Sequence, residues 1–243
     1  MEGQKRRWVI TADKFLTKEQ VSCLNQHLLN KRDLALARGN DPQAIKDYYM
    51  LRTLLESGLR VFEFTALALS DFNGQKLSVR HGKGDKPRTV LLTKATSIML
   101  KEWLLVRGRL GFATDHSSPL FPSRYGTKYT TRGIQRRVEL IFSSLGFPAN
   151  LTTHSCRHTY CSFLLESGKV GLPTVKENMG HSSIATTNIY SHAVVSLDDV
   201  ELYPDASSQI SVKSELQGGQ QRKKANSSVN AYLRSVNFKL PVR

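Results

Sequence analysis

Apolar residues in this chain recur at helical spacing over most of its length, and the helical stretches carry their own start and stop signals. The pattern breaks once. Lys76 to Arg80 and Thr89 to Leu92 read as strands, and between them Gly82, Lys83, Gly84, Asp85, Lys86 and Pro87 supply the glycines and the aspartate of a hairpin turn. The expected fold is mainly α with a small antiparallel β-sheet, an α+β class with a basic hairpin tip.

Thr17 to Gln20 has the form of a capping box, followed by Val21, Leu24 and Leu28, which predicts a helix to about Asn30. Asp41 and Pro42 suit the cap and first position of a second helix, with Ile45, Tyr49 and Leu54 inward and Gly58 as its stop. Val61 to Leu69 reads as a buried helix, with Phe62, Phe64 and Leu67 in the core, ended by Ser70 and Asp71. Further helices are expected over Ala95 to Val106, Thr131 to Leu145, His154 to Ser167 and Thr174 to Met179.

The 243 residues suffice for one main domain. The expected division is a basic N-terminal segment over 1–15, a domain over 16–202, and a flexible basic tail over 203–243. That tail is rich in Ser, Gln, Asn and Gly, with a basic knot at Arg222, Lys223 and Lys224. No run of about 18 uncharged apolar residues occurs, so no membrane partner is expected. The apolar stretch at Trp8 is too short for a secretory signal, and Cys23, Cys156 and Cys161 are an odd set suited to reduced thiols. A cytoplasmic location is the expectation. Lys and Arg number 35 against 20 Asp and Glu, a formal charge of +15. Such an excess calls for a polyanion, and nucleic acid is the first candidate because each neutralised phosphate releases counterions.

Chemistry concentrates in five places. His154 and Arg157 stand three apart; Gly180 and His181 follow; Tyr190 lies nine residues beyond His181. Upstream are Ser57, Gly58, Leu59 and Arg60 with Glu63 one helical turn on, and the turn bearing Lys83. A phosphodiester under attack spreads negative charge over its oxygens, and the planar guanidinium fork binds two of them at once. Arg60 and Arg157 fit that task. Tyrosine, with an ordinary pKa of about 10, attacks phosphorus only beside a proton acceptor or in a strongly positive site.

These five elements, in this order and over roughly residues 16 to 195, resemble the tyrosine recombinase or phage integrase family. The resemblance implies that family's catalytic-domain fold and a site-specific recombinase that cuts and rejoins double-stranded DNA through a 3′-phosphotyrosyl intermediate, with no cofactor and no metal. Tyr190 would be the nucleophile, Arg60 and Arg157 the phosphate clamp, and Lys83 the general acid, with Lys86 its local rival. His154 and His181 would share hydrogen bonding and proton exchange, in an order left open. Glu63 would support the clamp, and Lys86, Arg132, Arg136 and Arg137 would touch DNA. Family members act as homo-tetramers on DNA, exchanging C-terminal segments, and accessory DNA-bending or DNA-binding proteins are possible partners. Relatives carry a helical DNA-binding domain before the catalytic one, whereas 59 residues precede Arg60. That leaves a fragment, a minimal recombinase or a protein needing a helper.

Three other readings compete. His154, His158 and Cys161 share one helical face and, with His181, could ligate zinc, although Arg157 beside them would repel the ion. Cys156 could be a nucleophile but suits a small core residue better. The chain could also be a non-catalytic DNA-binding regulator retaining the fold, or a type IB topoisomerase-like enzyme.

Overall fold

The first two helices start where their capping residues put them. In the computed structural model, which describes residues 14–80, 82, 87–180, 197, 200 and 202, Thr17 caps helix α1 (Lys18–Arg38). Its hydroxyl accepts from the Gln20 amide at 3.2 Å, and the Gln20 side chain accepts from the Thr17 amide at 2.9 Å. The helix continues past Asn30 to Arg38 because its buried stripe does: Val21, Leu24 and Leu28 are followed inward by Arg32 and Ala35. Arg32 hides that continuation in the sequence, and its guanidinium lies 4.2 Å from the Tyr48 ring centre.

Helix α2 (Pro42–Ser57) is capped by Asp41, which accepts from the Ala44 amide at 2.9 Å, and stops at Gly58 with φ 61°. It is buried from Ala44 to Ser57 and packs against α1, α4 (Lys94–Arg109) and α6 (Thr153–Glu166). The single stripe of Ile45, Tyr49 and Leu54 understates a central helix enclosed on all sides. Helix α3 (Val61–Ala66) is shorter than the expected run to Leu69. The backbone leaves the helix to pair elsewhere: the Leu67 carbonyl accepts from the Leu120 amide at 2.8 Å, and the Leu69 amide donates to the Ser118 carbonyl at 2.9 Å. Phe64 and Leu67 are buried, but Phe62, placed in the core by the sequence reading, is 42% exposed because it lies on the opposite side of this short helix.

Strands β1 (Lys76–Val79) and β2 (Arg88–Leu91) form a two-stranded antiparallel sheet in which Leu77 faces Val90 and Val79 faces Arg88. Leu77, Val79 and Val90 point into the core. Helices α5 (Thr131–Ser144) and α7 (Leu172–Met179) complete the described elements. Tyr49, Trp103, Phe121 and Phe64 form an aromatic column through α2, α4, the 110–130 connection and α3, with ring centres 5.1, 5.4 and 4.9 Å apart in turn. Each such ring contributes about 2 kcal/mol by leaving water. The column fixes α3 against α2, and so fixes the chain at Gly58, Leu59 and Arg60 between them. Among the described residues no helix is long and apolar enough to cross a membrane. The basic N-terminal segment and the tail lie outside the described residues.

Candidate active site

Arg60 is held where α3 begins. Its backbone is extended, and Glu63, one turn on, accepts from the Arg60 amide at 2.8 Å and from its Nη1 at 3.0 Å. The guanidinium is thereby folded back over its own helix start. Its Nη2 reaches the Gly180 carbonyl at 3.4 Å, at the far end of α7. Arg157, on α6, joins the same place from the other side, donating Nη1 to the Gly58 carbonyl and Nη2 to the Met179 carbonyl. The two arginines of the expected clamp therefore hold successive carbonyls at the end of α7.

Two glycines make this possible. Gly58 and Gly180 both have positive φ, 61° and 63°, where other residues are strained. A Cβ on Gly58 would lie 2.5 Å from the Tyr160 ring, and one on Gly180 would lie 2.8 Å from Arg88 Cδ.

A third guanidinium completes the cluster. Arg88, at the first position of β2, forks onto Glu63 with Nη1 to Oε1 at 2.6 Å and Nη2 to Oε2 at 2.8 Å. Two arginines thus hold one carboxylate, and Arg157 lies close enough to feel its charge. Burial pushes the Arg157 guanidinium down to about 10, with Arg60 and Arg88 repelling its charge and Glu63 partly offsetting them. Burial also works against ionised Glu63, yet the Arg88 fork and the Arg60 amide hold its carboxyl below the usual range. At neutral pH the cluster carries more positive charge than its own carboxylate neutralises. An anion bound beside it would relieve that repulsion, as catalysis on a phosphodiester requires.

The other expected site residues divide. His154 is exposed in the first turn of α6, one turn before Arg157, its amide capped by the Thr152 hydroxyl at 3.2 Å. Glu63, expected to support the clamp, is fully buried and pairs with Arg60 at 3.0 Å. On α5, Arg132 and Arg136 are exposed, with Arg132 paired to Glu139 at 3.1 Å. Arg137 is turned inward, its Nε 2.8 and 2.9 Å from the two Asp47 oxygens. Lys83, Lys86, His181 and Tyr190 lie outside the described residues.

Among the described residues no three His, Cys, Asp or Glu side chains gather as a metal site, so His154, His158 and Cys161 do not form one. Cys156 is fully buried and its thiol is pushed up to about 12, which suits a core residue and not a nucleophile. Sequence reasoning missed Arg88. A basic residue at the inner end of a hairpin strand was the available signal, and its partner, 25 residues away, was invisible to local periodicity.

Residues 14–196 match the phage integrase family. Tyrosine recombinase XerC of Vibrio atlanticus (strain LGP32) is 33% identical over 154 residues, 63% of this chain and 49% of that protein. XerC of Actinobacillus succinogenes is 36% identical over 156 residues, 64% and 52% of the respective chains, and XerC of Chlamydia muridarum 34% over 183 residues, 75% and 55%. The chain spans about half the length of these curated relatives. Among solved structures, XerA recombinase has a TM-score of 0.56 at 24% identity, covering 84% of this chain and 65% of its own. The Tn1549 transposon integrase in complex with transposon right end DNA has a TM-score of 0.58 at 20% identity, covering 76% and 63%. At such identities the likeness carries the fold: mainly helical, with a small antiparallel sheet.

Proposed function

The chain belongs to the phage integrase family, that of the tyrosine recombinases, and from that premise we propose that it is a site-specific recombinase cutting and rejoining DNA through a 3′-phosphotyrosyl link at Tyr190. The supporting observation is the gathering of three guanidinium groups at the junction of α3 and α7, Arg60 and Arg88 on the Glu63 carboxylate and Arg157 on the neighbouring Gly58 and Met179 carbonyls, a surplus of positive charge that a phosphodiester would satisfy.

In this reaction the Tyr190 hydroxyl oxygen bonds to phosphorus and the bond from phosphorus to the 5′ oxygen breaks. A histidine, His154 or His181, takes the phenolic proton, and Lys83 protonates the departing 5′ oxygen. Arg60 and Arg157 stabilise the charge that builds on the non-bridging oxygens. A 5′ hydroxyl from a partner strand then attacks phosphorus and Tyr190 leaves with a proton restored. The bond energy stays in the phosphotyrosine, so religation needs no nucleotide. Residues 16–202 form the catalytic domain and 203–243 a basic tail. Lys86, Arg132 and Arg136 touch backbone phosphate, and Arg137 acts mainly by anchoring α5 to α2. Four copies close around two duplexes.

The test is covalent capture. Nicked duplexes tiling the DNA that flanks the coding sequence are incubated with the protein, and protein–DNA adducts are resolved under denaturing conditions. A Tyr190-dependent adduct is expected, and Tyr190→Phe should lose it while binding DNA as before. Binding without capture would mark a regulator that only retains the fold. Capture without exchange between two duplexes would mark a topoisomerase-like enzyme.

A further inference from the structure

Arg88 joins three elements at once. It stands at the first position of β2, opposite Val79 at the end of β1; its fork holds both Glu63 oxygens on α3, and its Nε donates to the Asn178 carbonyl on α7 at 3.3 Å. Each of the three guanidinium nitrogens thus makes one bond, and the side chain is 11% exposed. Its Cδ and Nε also press on Gly180, leaving no room there for a Cβ. The adjoining stretch of β2 is tied to the same helix end, since the Asn178 side chain accepts from the Leu91 amide at 2.7 Å and donates to the Leu91 carbonyl at 3.1 Å.

Arg88 is the main partner that keeps the buried Glu63 carboxylate ionised, at the cost of repulsion toward Arg157. It also supplies direction. By filling one side of each carboxylate oxygen it fixes the plane in which Oε1 meets Arg60 Nη1 and Oε2 meets the Arg60 amide. The same side chain ties the first residue of β2 to the end of α7.

We propose that Arg88 is a positioning residue for DNA strand transfer, acting through Glu63 to hold the Arg60 clamp, the start of β2 and the end of α7 at Gly180 in one geometry. The proposal rests on the strand-transfer reading. It assigns Arg88 no contact with phosphate, because its guanidinium is 11% exposed and is turned onto the Glu63 carboxylate and the Asn178 carbonyl. A displacement of about 1 Å at a reacting centre lowers rates on the order of a hundredfold, which sets the size of the effect.

The test compares Arg88→Gln, Arg88→Lys, Glu63→Gln and the Arg88→Gln/Glu63→Gln double variant in single-turnover adduct formation at saturating nicked duplex. Each single variant is expected to slow adduct formation by at least about tenfold with DNA affinity retained. The double should be no slower than the worse single, since both changes break one linkage. Arg88→Lys keeps the charge but loses the fork and should not rescue. Multiplying slowdowns, a loss confined to DNA affinity, or full activity in Arg88→Lys would overturn the proposal. Amide hydrogen exchange reads the linkage without activity: Arg88→Gln and Glu63→Gln should both accelerate exchange at residues 60–63, 88–91 and 178–180. If the parent chain forms no adduct, strand transfer fails and the positioning proposal falls with it. An adduct-forming parent whose variants leave exchange at those three places unchanged sinks the proposal alone.

Discussion

Two arginine–glutamate pairs sit within twelve residues of each other in this chain and behave as opposites. In α2, Arg52 Nε donates to Glu56 one turn on, and the second Glu56 oxygen accepts from the Thr96 hydroxyl at 2.6 Å. That carboxylate ties two helices together and its charge matches that of Arg52. At the start of α3, Arg60 and Glu63 form a similar local pair, but Arg88 forks onto the same carboxylate and Arg157 lies close by on the Gly58 and Met179 carbonyls, so cations outnumber it three to one. Both pairs are buried. A balanced buried pair satisfies its own charge and points to structure, whereas a surplus leaves a field that an anion must complete.

The sharpest way to break the contrast is to remove one cation from each pair. Arg60→Gln should slow adduct formation on the order of a thousandfold, about 4 kcal/mol of transition-state stabilisation, with the fold unchanged by circular dichroism. Arg52→Gln should instead lower the denaturation midpoint and, where the protein is still folded, leave the adduct rate within about twofold. Equal kinetic losses in both variants would erase the distinction.

Taking away the carboxylates comes next. Glu56→Ala removes the buried countercharge of Arg52 and the partner of Thr96, and should cost about 3 kcal/mol of stability in denaturant unfolding. Glu63→Ala should cost less stability than that and more rate, because Arg60 lies nearer to solvent and Arg88 keeps its bond to the Asn178 carbonyl.

Legibility in the sequence followed the same line. The caps at Thr17 and Asp41, the stop at Gly58 and the hairpin were readable because each is a local rule of a few residues. So were Arg60, Glu63 and Arg157, which carry a recognisable order. Arg88 was not readable, since its meaning lies in a carboxylate on another element. Nor was the early end of α3, where pairing between Leu67 and Leu120 overrides helical spacing, or the inward turn of Arg137, whose partner Asp47 is 90 residues away. Long-range pairing decided each of these, and no local pattern records it.

A smaller effect separates glycines that serve the site from one that does not. Gly39 and Gly180 have nearly the same φ, 66° and 63°, but a Cβ on Gly39 meets nothing within 4 Å whereas one on Gly180 meets Arg88. Gly39→Ala should cost about 1 kcal/mol of stability from backbone strain alone, with the adduct rate unchanged. Gly180→Ala should cost that much and also slow adduct formation, because Arg88 must move. Matching rates in the two variants would show that the Arg88 contact carries no geometric information.

The smallest expected effect reads the field directly. His158, one residue beyond Arg157, is held below the ordinary imidazole value by burial first, then by His154, Arg157 and Lys14. Because folding lowers that value, His158 contributes stability fully present above the ordinary value and lost as pH falls through the folded one. Imidazole resonances followed by NMR should show His158 titrating upward in Arg157→Gln and unchanged in Arg52→Gln, and upward again when nicked duplex binds the parent chain, since a phosphate beside the cluster offsets the cations that depress it. A His158 value indifferent both to Arg157 and to DNA would mean that burial alone sets it, and that the surplus of charge around Glu63 is screened before it reaches the next turn of α6.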